Sequence, residues 1–156
     1  MALREHLLEL AQGNGLDRFW AWFYRRQRVK NPLLRDLYTL LLLSSARRHG
    51  GYVGITARIE APPALPHGLR GVYISRYAAL GAGCRIYQNV TIGEVDGKAP
   101  TLEADCLVGA GAVLIGDIRV GRGAKIGAGA VVCRDVPAGA TVVAQPCRIL
   151  ERKVEV

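Results

Sequence analysis

The chain has 156 residues, half of them apolar, with 19 glycines and a net charge of +8. That is the length of one domain, with apolar mass for a core, and its β-branched content excludes a Gly-rich disordered chain. Residues 1–50 carry nine Lys/Arg against four Asp/Glu, and residues 51–156 carry twelve against nine; this excess suits nucleic acid, anionic lipid or an anionic substrate without choosing among them.

No apolar run is long enough to span a bilayer, and no secretory signal is visible at the N-terminus. Cys84, Cys106, Cys133 and Cys147 form no CxxC pair and have no metal spacing, so they read as reduced thiols in a cytoplasmic protein without a metal site.

Residues 1–49 read as a helical N-terminal segment. Leu7, Leu8 and Leu10 suggest a first short helix that ends near Gly13-Asn14-Gly15. A second is expected from Leu16 to Val29, with Asp17 as a possible cap. It carries Phe19, Trp20, Trp22, Phe23 and Tyr24 followed by Arg25, Arg26 and Arg28. Such a segment either packs its aromatics into a core or makes a peripheral membrane contact through 16–29. Asn31 followed by Pro32 marks a third helix to about Ala46, with Arg47 and Arg48 suited to its C-terminal end.

From residue 50 to 150 the helical period gives way to an internal repeat; residues 151–156 form a C-terminal tail. An aliphatic residue recurs every six positions: Ile74, Leu80, Ile86 and Ile92, then Leu102, Val108, Leu114, Val120, Ile126 and Val132. A small or medium apolar residue follows four positions later, as at Ala78, Cys84, Val90, Cys106 and Ala112. Glycine often follows the aliphatic residue directly, as at Gly81, Gly93, Gly109, Gly121 and Gly127, and is expected to let the chain bend. Six residues make one short strand and one turn, and three such units make one coil of a triangular prism. The predicted fold is therefore mainly β, a parallel β-helix of hexapeptide repeats behind a short helical segment. Ten residues rather than six separate Ile92 from Leu102, and the looped-out segment marks a working face.

The stretch Ile86-Tyr87-Gln88-Asn89-Val90-Thr91-Ile92-Gly93, the loop to Pro100, Val108 to Ala112 and Gly121 to Val132 closely resemble the hexapeptide-repeat domain of the serine acetyltransferases and their short, sugar-directed relatives. The resemblance implies a left-handed coil, a trimer, acetyl-CoA as donor, and active sites between subunits; the leader, shorter than the helical domain that joins two trimers in the serine enzymes, points to a simple homotrimer. Arg134-Asp135-Val136-Pro137 and Pro146-Cys147-Arg148-Ile149-Leu150 resemble the end of galactoside and maltose acetyltransferases. By that resemblance Ala110 and Ala128 line the pantetheine groove, with Arg134 and Arg148 near the phosphates and Lys125 a further candidate. Ala110 and Ala128 also read as turn residues, and the arginines as solvated surface.

O-acetyl transfer needs a base for the hydroxyl proton, and histidine is the natural one near neutral pH. The chain has His6, His49 and His67. His67, in Leu65-Pro66-His67-Gly68, matches the catalytic histidine of the serine enzymes when one extra residue is allowed before Gly71. The aspartate that orients this histidine there, fifteen positions upstream, is Tyr52 here. The family's aspartate before the histidine is Pro66, its arginine is Lys98, and its second histidine is Ala99 before Pro100. Groups for an amino acid's ammonium and carboxylate are thus largely replaced, which favours a sugar hydroxyl over serine. Tyr52, Tyr87, Gln88 and Lys98 are the acceptor-side candidates, with Tyr52 also able to orient His67 by a hydrogen bond. The competing reading is a catalytically degenerate trimer that serves as a scaffold. A zinc site needs converging imidazoles that the repeats lack, and no nucleic-acid module is recognisable.

Overall fold

The computed structural model describes residues 16–145. The first helix, read over Leu7 to Leu10, and the residues from 146 onward lie outside that range, as do His6, Cys147 and Arg148. Two helices lead: α1 (Asp17–Arg28) and α2 (Pro32–Arg48). Asp17 is not the cap of α1. Leu16 holds that position without a side-chain hydrogen bond, and Asp17 sits in the first turn, where a carboxylate favours the helix dipole. Asn31 does cap α2: its side chain accepts from the backbone N–H of Leu33 at 3.0 Å and of Leu34 at 3.3 Å, with Pro32 opening the helix.

The aromatic cluster of α1 faces inward. Phe19 and Phe23 are 1% exposed and Trp20 is 6%, packed edge-to-face at ring separations of 5.0 and 5.6 Å. They join Leu42 and Ala46 of α2 and the first coil in one continuous core. Phe19, Trp20 and Phe23 are therefore core residues, with Trp22 and Tyr24 half-buried against them.

Thirteen two- and three-residue strands follow, all paired in parallel. They stack into three sheets: β1 (Tyr52–Val53), β3 (Tyr73–Ile74), β6 (Thr91–Gly93), β9 (Val113–Ile115) and β12 (Val131–Val132) on the first face; β2 (Arg58–Ile59), β4 (Ala79–Leu80), β7 (Thr101–Leu102) and β10 (Arg119–Val120) on the second; β5 (Arg85–Ile86), β8 (Leu107–Val108), β11 (Lys125–Ile126) and β13 (Thr141–Val142) on the third. This is the parallel β-helix that the six-residue period predicts, with the left hand that the family resemblance implies. All ten aliphatic repeat positions, Ile74 to Val132, are at most 3% exposed, and Ala78, Cys84, Val90, Cys106 and Ala112 are at most 1%.

The glycines after the aliphatic residues act differently from expectation. None of Gly81, Gly93, Gly109, Gly121 and Gly127 has a positive φ. Gly109 is small because coils meet there: a Cβ on it would sit 2.7 Å from the backbone nitrogen of Ala128. The positive-φ turns fall elsewhere on the corners, where Asn89 (φ 58°) and Asp105 (φ 64°) take the same conformation as the neighbouring glycines.

Register exposes two departures from the 18-residue coil seen between Leu107 and Lys125. Ala64 pairs with Arg85, so the first coil has three extra residues, all in the corner between Ala64 and Tyr73 that holds His67. Thr91 pairs with Val113, so the third coil has four extra, between β6 and β7. There Val95 and Lys98 pair antiparallel around Asp96 (φ 51°) and Gly97 (φ 76°), a two-residue hairpin whose paired positive φ values suit Asp-Gly.

Candidate functional site

The corner between the third and first faces gathers part of the predicted set: His67, Tyr87, Gln88, Ala110 and Ala128. Counted from the strand before it, His67 occupies the place that Gln88, Ala110 and Ala128 occupy in the next three coils, because Ala64, Arg85, Leu107 and Lys125 are in register. The stacking is held by backbone bonds: Gly111 N–H donates to the Gln88 carbonyl at 3.0 Å and Gly129 N–H to the Ala110 carbonyl at 2.9 Å. Three coil steps at about 4.8 Å put Ala128 roughly 14 Å along the axis from the histidine. Along that line the side chains shrink to methyl groups, and Ala128 is exposed.

His67 is exposed, and its Nδ1 lies 2.6 Å from Oε1 of Gln88. The Tyr87 ring stands edge-on to the imidazole at 5.8 Å. His67, Tyr87 and Gln88 thus form one cluster. Tyr52 does not join it as the orienting group: its ring stacks on Tyr73 at 5.0 Å and 17°, one coil away on the first face. A carboxamide from the following coil takes the place beside the imidazole that Tyr52 was expected to fill.

Lys98 lies at the other end of the first face, on the hairpin. Its Nζ is 2.8 Å from Asp117, which raises its pKa. Within one chain, Lys98 is spent on this ion pair rather than gathered at His67. Beside the hairpin, buried Ser75 donates its hydroxyl hydrogen to the Glu94 carboxylate. Burial, then the Glu94 charge, raises the pKa of Tyr73. This polar cluster carried no repeat signature of its own.

Lys125 is exposed on β11, opposite Leu107 and Thr141. Arg134 lies in a different concavity of about 950 Å³, lined by residues 131–137 and β13. That concavity contains neither His67 nor Ala128. The strand register, rather than the volume, singles out the corner as the candidate site. Among the described residues no group of three or more His, Cys, Asp or Glu side chains gathers to hold a metal, and no helix is long and apolar enough to cross a membrane.

Residues 99–134 match the family described as bacterial transferase hexapeptide (six repeats). The chain is similar to a serine acetyltransferase of Synechococcus elongatus, 39% identical over 135 residues that cover 84% of this chain and 52% of that protein. A serine acetyltransferase of Bacillus licheniformis is 33% identical over 157 residues, covering 96% of this chain and 70% of that protein. Among solved structures, the serine acetyltransferase of Neisseria gonorrhoeae in complex with serine superposes with a TM-score of 0.72 at 30% identity, over 84% of this chain and 55% of that one. The chain therefore spans about half the length of the first of these relatives and of the solved enzyme.

Proposed function

The chain belongs to the serine acetyltransferase family, and we propose that it transfers the acetyl group of acetyl-CoA directly to a hydroxyl acceptor with His67 as general base. The observation that carries this reading is the single corner on which His67, Gln88, Ala110 and Ala128 succeed one another.

The proton inventory follows from the hydrogen bond. Oε1 of Gln88 is an acceptor, so Nδ1 of His67 carries the hydrogen and Nε2 keeps its lone pair. Nε2 takes the acceptor's hydroxyl proton as the oxygen attacks the thioester carbonyl, giving a tetrahedral oxyanion. Collapse breaks the C–S bond, the departing sulfur receives the proton from the imidazolium, and an O-acetyl ester and free coenzyme A thiol remain. Gln88 is here a positioning residue in place of the family's aspartate. The pantetheine arm lies along the corner at Ala110 and Ala128, where methyl side chains let it reach the backbone. Arg134, Arg148 and Lys125 meet the phosphates, the arginines through their planar forks. The active unit is a homotrimer with sites between subunits.

For the acceptor we propose a sugar hydroxyl rather than free serine. Tyr52 is engaged with Tyr73, Lys98 with Asp117, and buried Ala99 stands where the family has a second histidine. The positions that would grip an ammonium and a carboxylate in the family are thus replaced or engaged elsewhere, while Tyr87 offers an aromatic flank beside the base. Competition between serine and a panel of monosaccharides, with the acetylated product identified by mass, tests this. A monosaccharide ester as main product is expected; O-acetylserine as main product would reverse the acceptor assignment.

A further inference from the structure

We propose that the exposed face of α2 docks on an anionic lipid surface. Leu33, Leu37 and Leu40 lie on successive turns of one side of the helix, with Leu34 beside them; they are 79%, 50%, 66% and 48% exposed. The opposite side is already used, because Leu42, Ser45 and Ala46 are buried toward α1 and the first coil. A helix that is apolar on both sides needs cover on both. The other exposed large apolar residues, Tyr73, Tyr77, Val95, Val131 and Val143, are distributed over separate strands and loops of the prism.

Charge selects the occupant. Residues 16–49 hold eight Lys/Arg and two Asp/Glu, the latter being Asp17 and Asp36. Arg28, Lys30, Arg35, Arg47 and Arg48 are exposed around α2, and the ion pairs among the described residues all lie on the prism instead. A second copy of this cationic layer would bring like charges together. Anionic headgroups neutralise it while the leucines enter the acyl boundary, and the capped, preformed helix presents them as a convex ridge.

The full chain is tested by co-sedimentation with vesicles of phosphatidylcholine alone and of phosphatidylcholine mixed with phosphatidylglycerol. Binding to the mixed vesicles is expected, at least about tenfold weaker on the neutral ones and weakening with salt. The double variant Leu37→Glu/Leu40→Glu, checked for retained circular dichroism, is expected to lose binding by at least about tenfold. Lys30→Glu/Arg48→Glu, two exposed positions flanking the leucine side, tests the charge separately and leaves the leucines in place. No sedimentation with the mixed vesicles, equal binding to neutral ones, or binding indifferent to both variants would overturn the proposal. So would a leucine-dependent gain in oligomer mass without vesicle binding, which assigns the face to a second copy.

Discussion

His67 and Gln88, which pair across adjacent coils with Nδ1 2.6 Å from Oε1, are 21 residues apart, one coil of the prism plus three extra residues. A neutral carboxamide, unlike a carboxylate, fixes the imidazole without adding a countercharge for the imidazolium. Gln88→Leu is expected to lower kcat by about 10- to 100-fold with little change in KM for acetyl-CoA. Gln88→Glu, which still accepts from Nδ1, is expected to keep kcat near wild type. Nitrogen-15 spectra of His67, assigned with His67→Ala, should show hydrogen on Nδ1 in the wild type and Gln88→Glu, and a shift toward Nε2–H in Gln88→Leu. An unchanged tautomer and kcat in Gln88→Leu removes Gln88 from the account. An altered tautomer with unchanged kcat instead removes His67 as base.

Ala128 tests the groove. It is exposed, so enlarging it leaves the core alone. Ala128→Phe should raise KM for acetyl-CoA by about tenfold or more, with the melting temperature unchanged. An unaltered KM places the donor elsewhere.

The stacked core gives a stability contrast. Ile126 is fully buried, whereas Val131 is 70% exposed. Ile126→Ala should cost about 2–5 kcal/mol by denaturant unfolding, and Val131→Ala no more than about 0.5 kcal/mol. Gly109→Ala should also destabilise, because its new Cβ would press on the Ala128 backbone at 2.7 Å.

The second and third faces carry an exposed carboxylate network with a defined pH signature. Hydrogen bonding from Arg119, and then from the Arg122 backbone N–H, holds Glu103 below the usual carboxylate range. A depressed carboxylate stabilises the fold above its ordinary pKa and loses that contribution as pH falls through the lowered value. Glu103→Gln should therefore melt slightly below wild type at neutral pH, and the difference should shrink as the pH falls below the ordinary glutamate range.

Much of this fold is legible in the chain because the six-residue period reports which side chains point inward. Ile74 to Val132 all obey it, and Asn31-Pro32 announces α2 as plainly. Roles that depend on backbone approach are less visible: Gly109 and Asn89 both sit at corners, yet only Asn89 has a positive φ. Asp17 misleads because an acid suits both the cap and the first turn. The partner of His67 was obscured by the three extra residues at its corner. Once the strand register is known, the 21-residue offset points directly to Gln88. Family likeness pointed to Tyr52 instead, but the aromatic ring there stacks on its neighbour one coil away.

The central claim is acetyl transfer by His67, and thiol release from acetyl-CoA tests it most directly. Purified protein is assayed with monosaccharides and with serine, beside His67→Ala. Acceptor-dependent release that falls by about 100-fold or more in His67→Ala is the predicted result. Release no greater than that of His67→Ala with every acceptor would contradict it and leave a β-helix that binds partners without catalysis.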